Sequence, residues 1–251
     1  MSFIDNIVGF GKKALGFLGG NSIGSSLART ALLGLALNKV SKSIQKASER
    51  EDPGSRVQLN PDTTNQIPVV YGDAYIAGSV TDAYLSSDNL TMWFCITLCE
   101  KTGALINGTD SVISFEEAYW NGLRLKFQSN GYTVDKAYDE FGNSTDAYNG
   151  LIEIYPFNDG SQFPTGFTSE TSSNSSNAYD LFPGWDSNKS MSELVFVLVK
   201  MKYNSEKRVT NLGNFQFKIS NTMRQPGDCL YDYATNTRYG AGIPQAEINK
   251  S

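Results

Sequence analysis

The sequence predicts a mainly β protein: a β-sheet domain, mixed or antiparallel, with α-helices ahead of it and a short helix behind it. Three observations predict this class. Apolar residues alternate with period two in several runs after residue 66, the signature of strands. Aromatic residues are plentiful, with thirteen Tyr and fourteen Phe, and they favour pleated surfaces. Asn, Ser, Thr and Gly fill the gaps between the apolar runs, as in β proteins with many turns. At 251 residues the chain can bury one sizeable core or two small ones. Three regions are expected: a helical docking segment over 1–52, a β-rich domain over 53–226, and a short helix with a tail over 227–251.

The first region repeats at helical spacing. Phe3, Ile7, Phe10, Ala14 and Phe17 fall on one helix face. Gly19, Gly20 and Asn21 interrupt the pattern, and Ser22 is placed to cap a second helix. On that helix Leu33, Leu37, Val40 and Ile44 repeat the four-three spacing. The apolar run at 31–37 is far shorter than the roughly 18–20 residues that span a bilayer. Lys12 and Lys13 lie inside the first apolar stretch, unlike the basic start of a signal peptide. A helix lying on a membrane surface is one reading of this segment. Docking of Phe3, Ile7, Phe10, Phe17, Leu33, Leu37, Val40 and Ile44 on a partner chain is the reading preferred, as an amphipathic helix fills a groove.

The strands follow in order. QIPVVYGDAYIAGSV (66–80) reads as extended, with Gly72 at a bulge or turn. TMWFCITLC (91–99) is apolar on both faces, as a central strand buried on two sides must be. Cys95 and Cys99 are expected on one face of it, too far apart to bridge, so the cysteines read as buried free thiols. AYWNGLRLKF (118–127) predicts a hairpin, because Asn121-Gly122 suits a type I′ turn. Glu116 and Glu117, just before it, read as a solvated turn, as does the acidic loop at 139–146. Another strand is expected at 151–157. A long polar loop at 159–190 follows, with Phe182-Pro183-Gly184-Trp185 as its aromatic anchor. Residues 193–203 give the clearest strand, and 212–220 is expected to pair with it.

The last region, GDCLYDYATNTRYGAGIP (227–244), reads as a helical turn with Asp228 as its cap and a glycine stop at Gly240 and Gly242. Its YDYATNTRYGAG segment resembles a signature of the tail tip attachment and baseplate hub proteins of tailed bacteriophages. Two further stretches resemble the same family, in the same order: IPVVYG (67–72), and a strand ending in CEKTG (99–103) followed by the YWNG hairpin. Family members continue past the RYG segment, so the resemblance implies a shorter relative matching the N-terminal hub portion, whose missing domains lie on another chain.

The resemblance implies a structural component of the virion, at the viral tail baseplate or tail tip. It implies contacts with other tail and baseplate proteins and a homo-oligomeric ring, assembled in the host bacterial cytoplasm. Tyr231, Arg238 and Tyr239 join the N-terminal apolar residues as the expected protein–protein interaction set. Two other functions stand as alternatives, a cell-wall-degrading enzyme and a membrane-active protein. The chain contains no histidine, which removes Ser-His-Asp chemistry and His-ligated metals. No convergent carboxylate pair is evident, so no catalytic residue, metal or cofactor is expected. A net charge of −5 argues against a nucleic-acid partner.

Overall fold

In the computed structural model of the protein, residues 66–248 are described. The expected N-terminal helices, with Phe3, Ile7, Phe10, Phe17, Leu33, Leu37, Val40 and Ile44, lie outside the described residues. The strands in chain order begin with β1 (Asp73–Ile76), β2 (Ser79–Leu85), β3 (Thr91–Glu100), β4 (Ile113–Trp120), β5 (Leu123–Phe127) and β6 (Val134–Tyr138). They continue with β7 (Ser144–Thr145), β8 (Ile152–Phe157), β9 (Gly166–Phe167), β10 (Glu170–Thr171), β11 (Leu194–Lys202) and β12 (Phe215–Asn221). The helices are short: α1 (Ala178–Leu181) and α2 (Pro226–Thr235), with a 3-10 turn at Gln245–Glu247. The mainly β expectation holds, and the sheets are antiparallel.

One sheet has the order β2-β3-β11-β8 and the other β1-β12-β4-β5-β6-β7. A parallel contact, Phe115 with Phe167, brings β9 against β4, and β10 pairs with β9. The sheets face one another across a shared core. Phe94, Ile96 and Leu98 of β3 and Val195, Val197 and Val199 of β11 pack with Phe215, Phe217 and Ile219 of β12 and with Phe115 and Trp120 of β4. Burying a side chain of this size stabilises the fold by ~1.5–3 kcal/mol.

The smaller sheet is apolar over much of its other face too, which is why β3 and the first half of β11 lack a polar side, while Lys200 and Lys202 at the end of β11 pair with Glu153. Trp93, Cys95, Tyr155, Phe157, Phe196 and Leu198 form a second cluster there, covered by Ala178 and Phe182. Phe157 stacks on Phe196 with centroids 4.8 Å apart, and Phe182 meets Trp93 edge-on at 6.2 Å. The Trp185 Nε1–H donates to Asp82 Oδ2 at 2.7 Å, tying this covering segment to strand β2. The polar loop with its aromatic anchor is thus a lid over the sandwich.

The chain crosses from the larger sheet to the smaller at Ala77-Gly78. Gly78 has φ +72°, and a Cβ there would lie 2.6 Å from the Thr97 carbonyl oxygen. On the opposite side Thr133 bridges to Glu153, and the Ile154 N–H donates to the Tyr132 carbonyl at 2.8 Å. The two sheets are therefore connected on two sides of the sandwich.

Four details differ from the sequence reading. The register of β3 on β11 slips between Val195 and Phe196, with Cys99 and Thr97 as partners, so Leu98 is an extra residue. This bulge sends Cys99 into the inner core, while Cys95 sits in the outer cluster. The two thiols therefore do not share a face. Strand β12 does not pair with β11, because β3 and β8 occupy both ladders of β11; it pairs with β1 and β4 in the other sheet. Glu116 and Glu117 lie within β4, not in a turn. Asp228 is inside the first turn of α2, whose cap residue is Gln225 with Pro226 at the first helical position. The hairpin is as expected: Asn121 and Gly122 have φ of +50° and +81°, as a type I′ turn requires.

Candidate functional site

An interconnected polar site lies where α2 and the turn after it return to the sandwich. Proline starts this helix because its missing N–H is not needed at that position. Asp228, in the first turn, accepts from the Ile106 N–H at 2.9 Å and so ties the helix to the loop after β3. At the far end Asn236 organises the stop. Its backbone N–H donates to the Asp232 carbonyl at 2.8 Å, and its Oδ1 accepts the N–H of Arg238 at 2.8 Å. The Ala241 and Ile243 N–H groups then cap the Tyr233 and Ala234 carbonyls, each at 2.8 Å. A Cβ at Gly240 would meet the Tyr233 carbonyl oxygen at 2.0 Å, so glycine is the residue that fits.

This folded end presents Asp232, Arg238 and Tyr239 to the sandwich. Asp232 is buried at 3% exposure and accepts three hydrogen bonds. Its Oδ2 takes the Tyr71 hydroxyl at 2.8 Å and the Tyr239 hydroxyl at 2.6 Å. Its Oδ1 takes the Gly103 N–H at 2.9 Å. Arg238 reaches two carboxylates, with Nε 2.9 Å from Glu100 Oε2 and an Nη 3.0 Å from Glu193 Oε2. The Glu100 oxygen is in ion-pair contact yet takes no aligned hydrogen bond. Glu193 sits in the left-handed region at φ +62°, and its own carbonyl accepts the Lys101 N–H at 2.8 Å. That conformation puts its carboxylate beside Arg238.

Burial, then the bond to Asp232, pushes the Tyr71 and Tyr239 phenols above their ordinary range. Both stay neutral donors around a carboxylate. Burial also raises the Glu100 carboxyl; Arg238 opposes that shift and Glu193 adds to it.

The residues singled out from sequence are placed as follows. Tyr231 is 7% exposed on the inner side of α2, Tyr239 is bonded to Asp232, and Arg238 is paired to Glu100 and Glu193. All three are engaged within the chain. The N-terminal eight lie outside the described residues. The exposed apolar groups of the helix are Leu230, 70% exposed, and Tyr233, 54% exposed. Sequence reading passed over Asp232, Tyr71, Glu100 and Glu193, the acceptors and donors that the helix uses. The signal available was an Asp flanked by apolar residues in YDY, too common a pattern to single out.

Parts of the stretches that carry the family resemblance meet here, while the YWNG hairpin lies elsewhere. Tyr71 belongs to IPVVYG, Glu100 and Gly103 to CEKTG, and Asp232, Arg238 and Tyr239 to the last segment. Among the described residues no helix is long and apolar enough to cross a membrane, and no His/Cys/Asp/Glu group of three is placed to hold a metal ion. No protein-family model matches the chain, and no curated protein matches it.

Proposed function

We propose that the chain is a structural subunit of a bacteriophage tail baseplate or tail tip, assembling through protein–protein contacts without turnover. One observation supports this reading above others. Tyr71 of the first stretch that resembles the hub family, Glu100 and Gly103 of the second, and Asp232, Arg238 and Tyr239 of the last are bonded to one another, while the YWNG hairpin lies outside this network. Residues that meet in space are what a shared architecture would require, and that is the support this reading has. In this reading the sandwich is a rigid ring element and the helical end is its clasp. The apolar residues Phe3, Ile7, Phe10, Phe17, Leu33, Leu37, Val40 and Ile44 dock on a neighbouring tail or baseplate protein, and copies of the chain form a ring in the virion.

The test is incorporation. Phe10→Glu and Leu37→Glu variants, supplied in an infected host, are expected to be lost from purified particles while their far-UV spectra keep the β signal. Normal incorporation of both variants would overturn the docking role.

A further inference from the structure

We propose that the outward face of the larger sheet is a binding site for a neutral saccharide. Two cross-strand rows build the face. Register places Tyr75 beside Lys218 and Lys218 beside Glu117; in the next row Tyr119 lies beside Arg124 and Arg124 beside Tyr138. Residues directly opposite in antiparallel strands share a face, and so do Glu117 and Tyr119, two apart on β4. Tyrosine rings and charged groups therefore alternate across one surface. Tyr75 is 56% exposed and meets Tyr119 edge-on at 6.0 Å, and the Arg124 guanidinium lies 5.6 Å over the Tyr138 ring.

A recess of about 600 Å³ opens in this face. It lies where β4 changes neighbour, from β5 at Ala118 to β9 at Phe115. That volume is in the ~300–1,000 Å³ range of small-molecule sites. Glu116, Glu117 and Glu170 line it together with Arg124, Lys126 and Lys218. Carboxylates and cations are equal in number, so a strongly anionic or cationic ligand finds no surplus of opposite charge. Four of these groups are fixed by pairing, with Lys218 2.6 Å from Glu116 and Arg124 3.4 Å from Glu117. The Tyr119 hydroxyl also donates to Glu117, which holds that carboxyl below its ordinary range as a charged acceptor.

What such a surface suits is a molecule whose polar groups both donate and accept while its remaining surface is apolar. A sugar hydroxyl does both, giving its proton to a glutamate and taking one from a lysine or arginine. The C–H face of the sugar ring lies on Tyr138, the tyrosine that lines the recess, which supplies apolar area with a polar tip.

The experiment is calorimetric titration of the full chain with maltotriose, cellotriose and triacetylchitotriose in turn. Saturable binding of at least one is expected. Glu117→Gln and Lys126→Ala are each expected to weaken it about tenfold, the loss of one charge-assisted hydrogen bond, with the thermal midpoint unchanged in Lys126→Ala. If Glu117→Gln does not fold, Tyr138→Ala, in the lining of the recess, takes its place. No saturable binding of any of the three sugars, or binding of equal strength in the variants that fold, overturns the proposal.

Discussion

Tyr71 and Asp232, 161 positions apart in the chain, are joined by a 2.8 Å hydrogen bond. One residue precedes the first strand and the other sits in the last helix, so this bond and the Tyr239 bond to the same oxygen close the described chain end to end. A carboxylate this deeply buried is tolerated because three donors satisfy it.

Removing the acceptor strands the donors. Asp232→Ala is expected to destabilise the domain by about 3 kcal/mol or more in urea unfolding at pH 7, because two phenols and the Gly103 N–H lose their partner. Tyr71→Phe and Tyr239→Phe are each expected to cost about 1.5 kcal/mol, the low end for a hydrogen bond to a charged group. The double variant should depart from the sum, since both phenols share one oxygen. A loss below about 0.5 kcal/mol for Asp232→Ala would show that the clasp does not hold the fold.

The same phenols set an alkaline limit. Their pKa values in the fold stand above the ordinary 10.0. A group raised in the folded state contributes stability that is complete below its unfolded pKa and lost as pH rises through its folded value. Thermal midpoints are therefore expected to hold up to about pH 10 and to fall beyond it. Tyr119 and Tyr155, bonded to Glu117 and Glu153, are raised in the same sense and add to the fall. In the Tyr71→Phe, Tyr239→Phe double variant the fall should be shallower; an identical pH profile would remove the clasp phenols from the explanation.

Thiol chemistry tests the β3 bulge and the two-sided strand. Burial raises the Cys95 and Cys99 thiols to about 12, while Cys229 is only partly buried. A disulfide reagent at pH 8 is expected to titrate Cys229 alone in the native protein and all three cysteines after unfolding in guanidinium. Rapid native reaction at Cys95 would mean that Phe182 and its lid do not cover the outer cluster.

What was legible in the sequence was what repeats locally. The two-sided runs of β3 and β11, the Asn121-Gly122 turn and the aromatic anchor at Phe182 and Trp185 each announce themselves within a few residues. The partner of β12 was not legible, because period-two alternation marks a strand but not the ladder it joins. The face of Cys99 was lost for a related reason: one extra residue at Leu98 inverts every later side chain, and no composition signal marks a bulge. The clasp was half legible. The RYG segment stood out, whereas Tyr71, Glu100 and Asp232 became a site only when the fold brought distant positions together.

The central claim is the proposed place of this chain in a phage tail, and immunogold labelling of intact tailed-phage particles produced by cells that express the chain tests that most directly. An antibody against the sandwich is expected to mark the distal end of the tail, in several copies per particle. Particles that carry no label, with the chain found only in the lysate and absent from purified tails, would contradict the account.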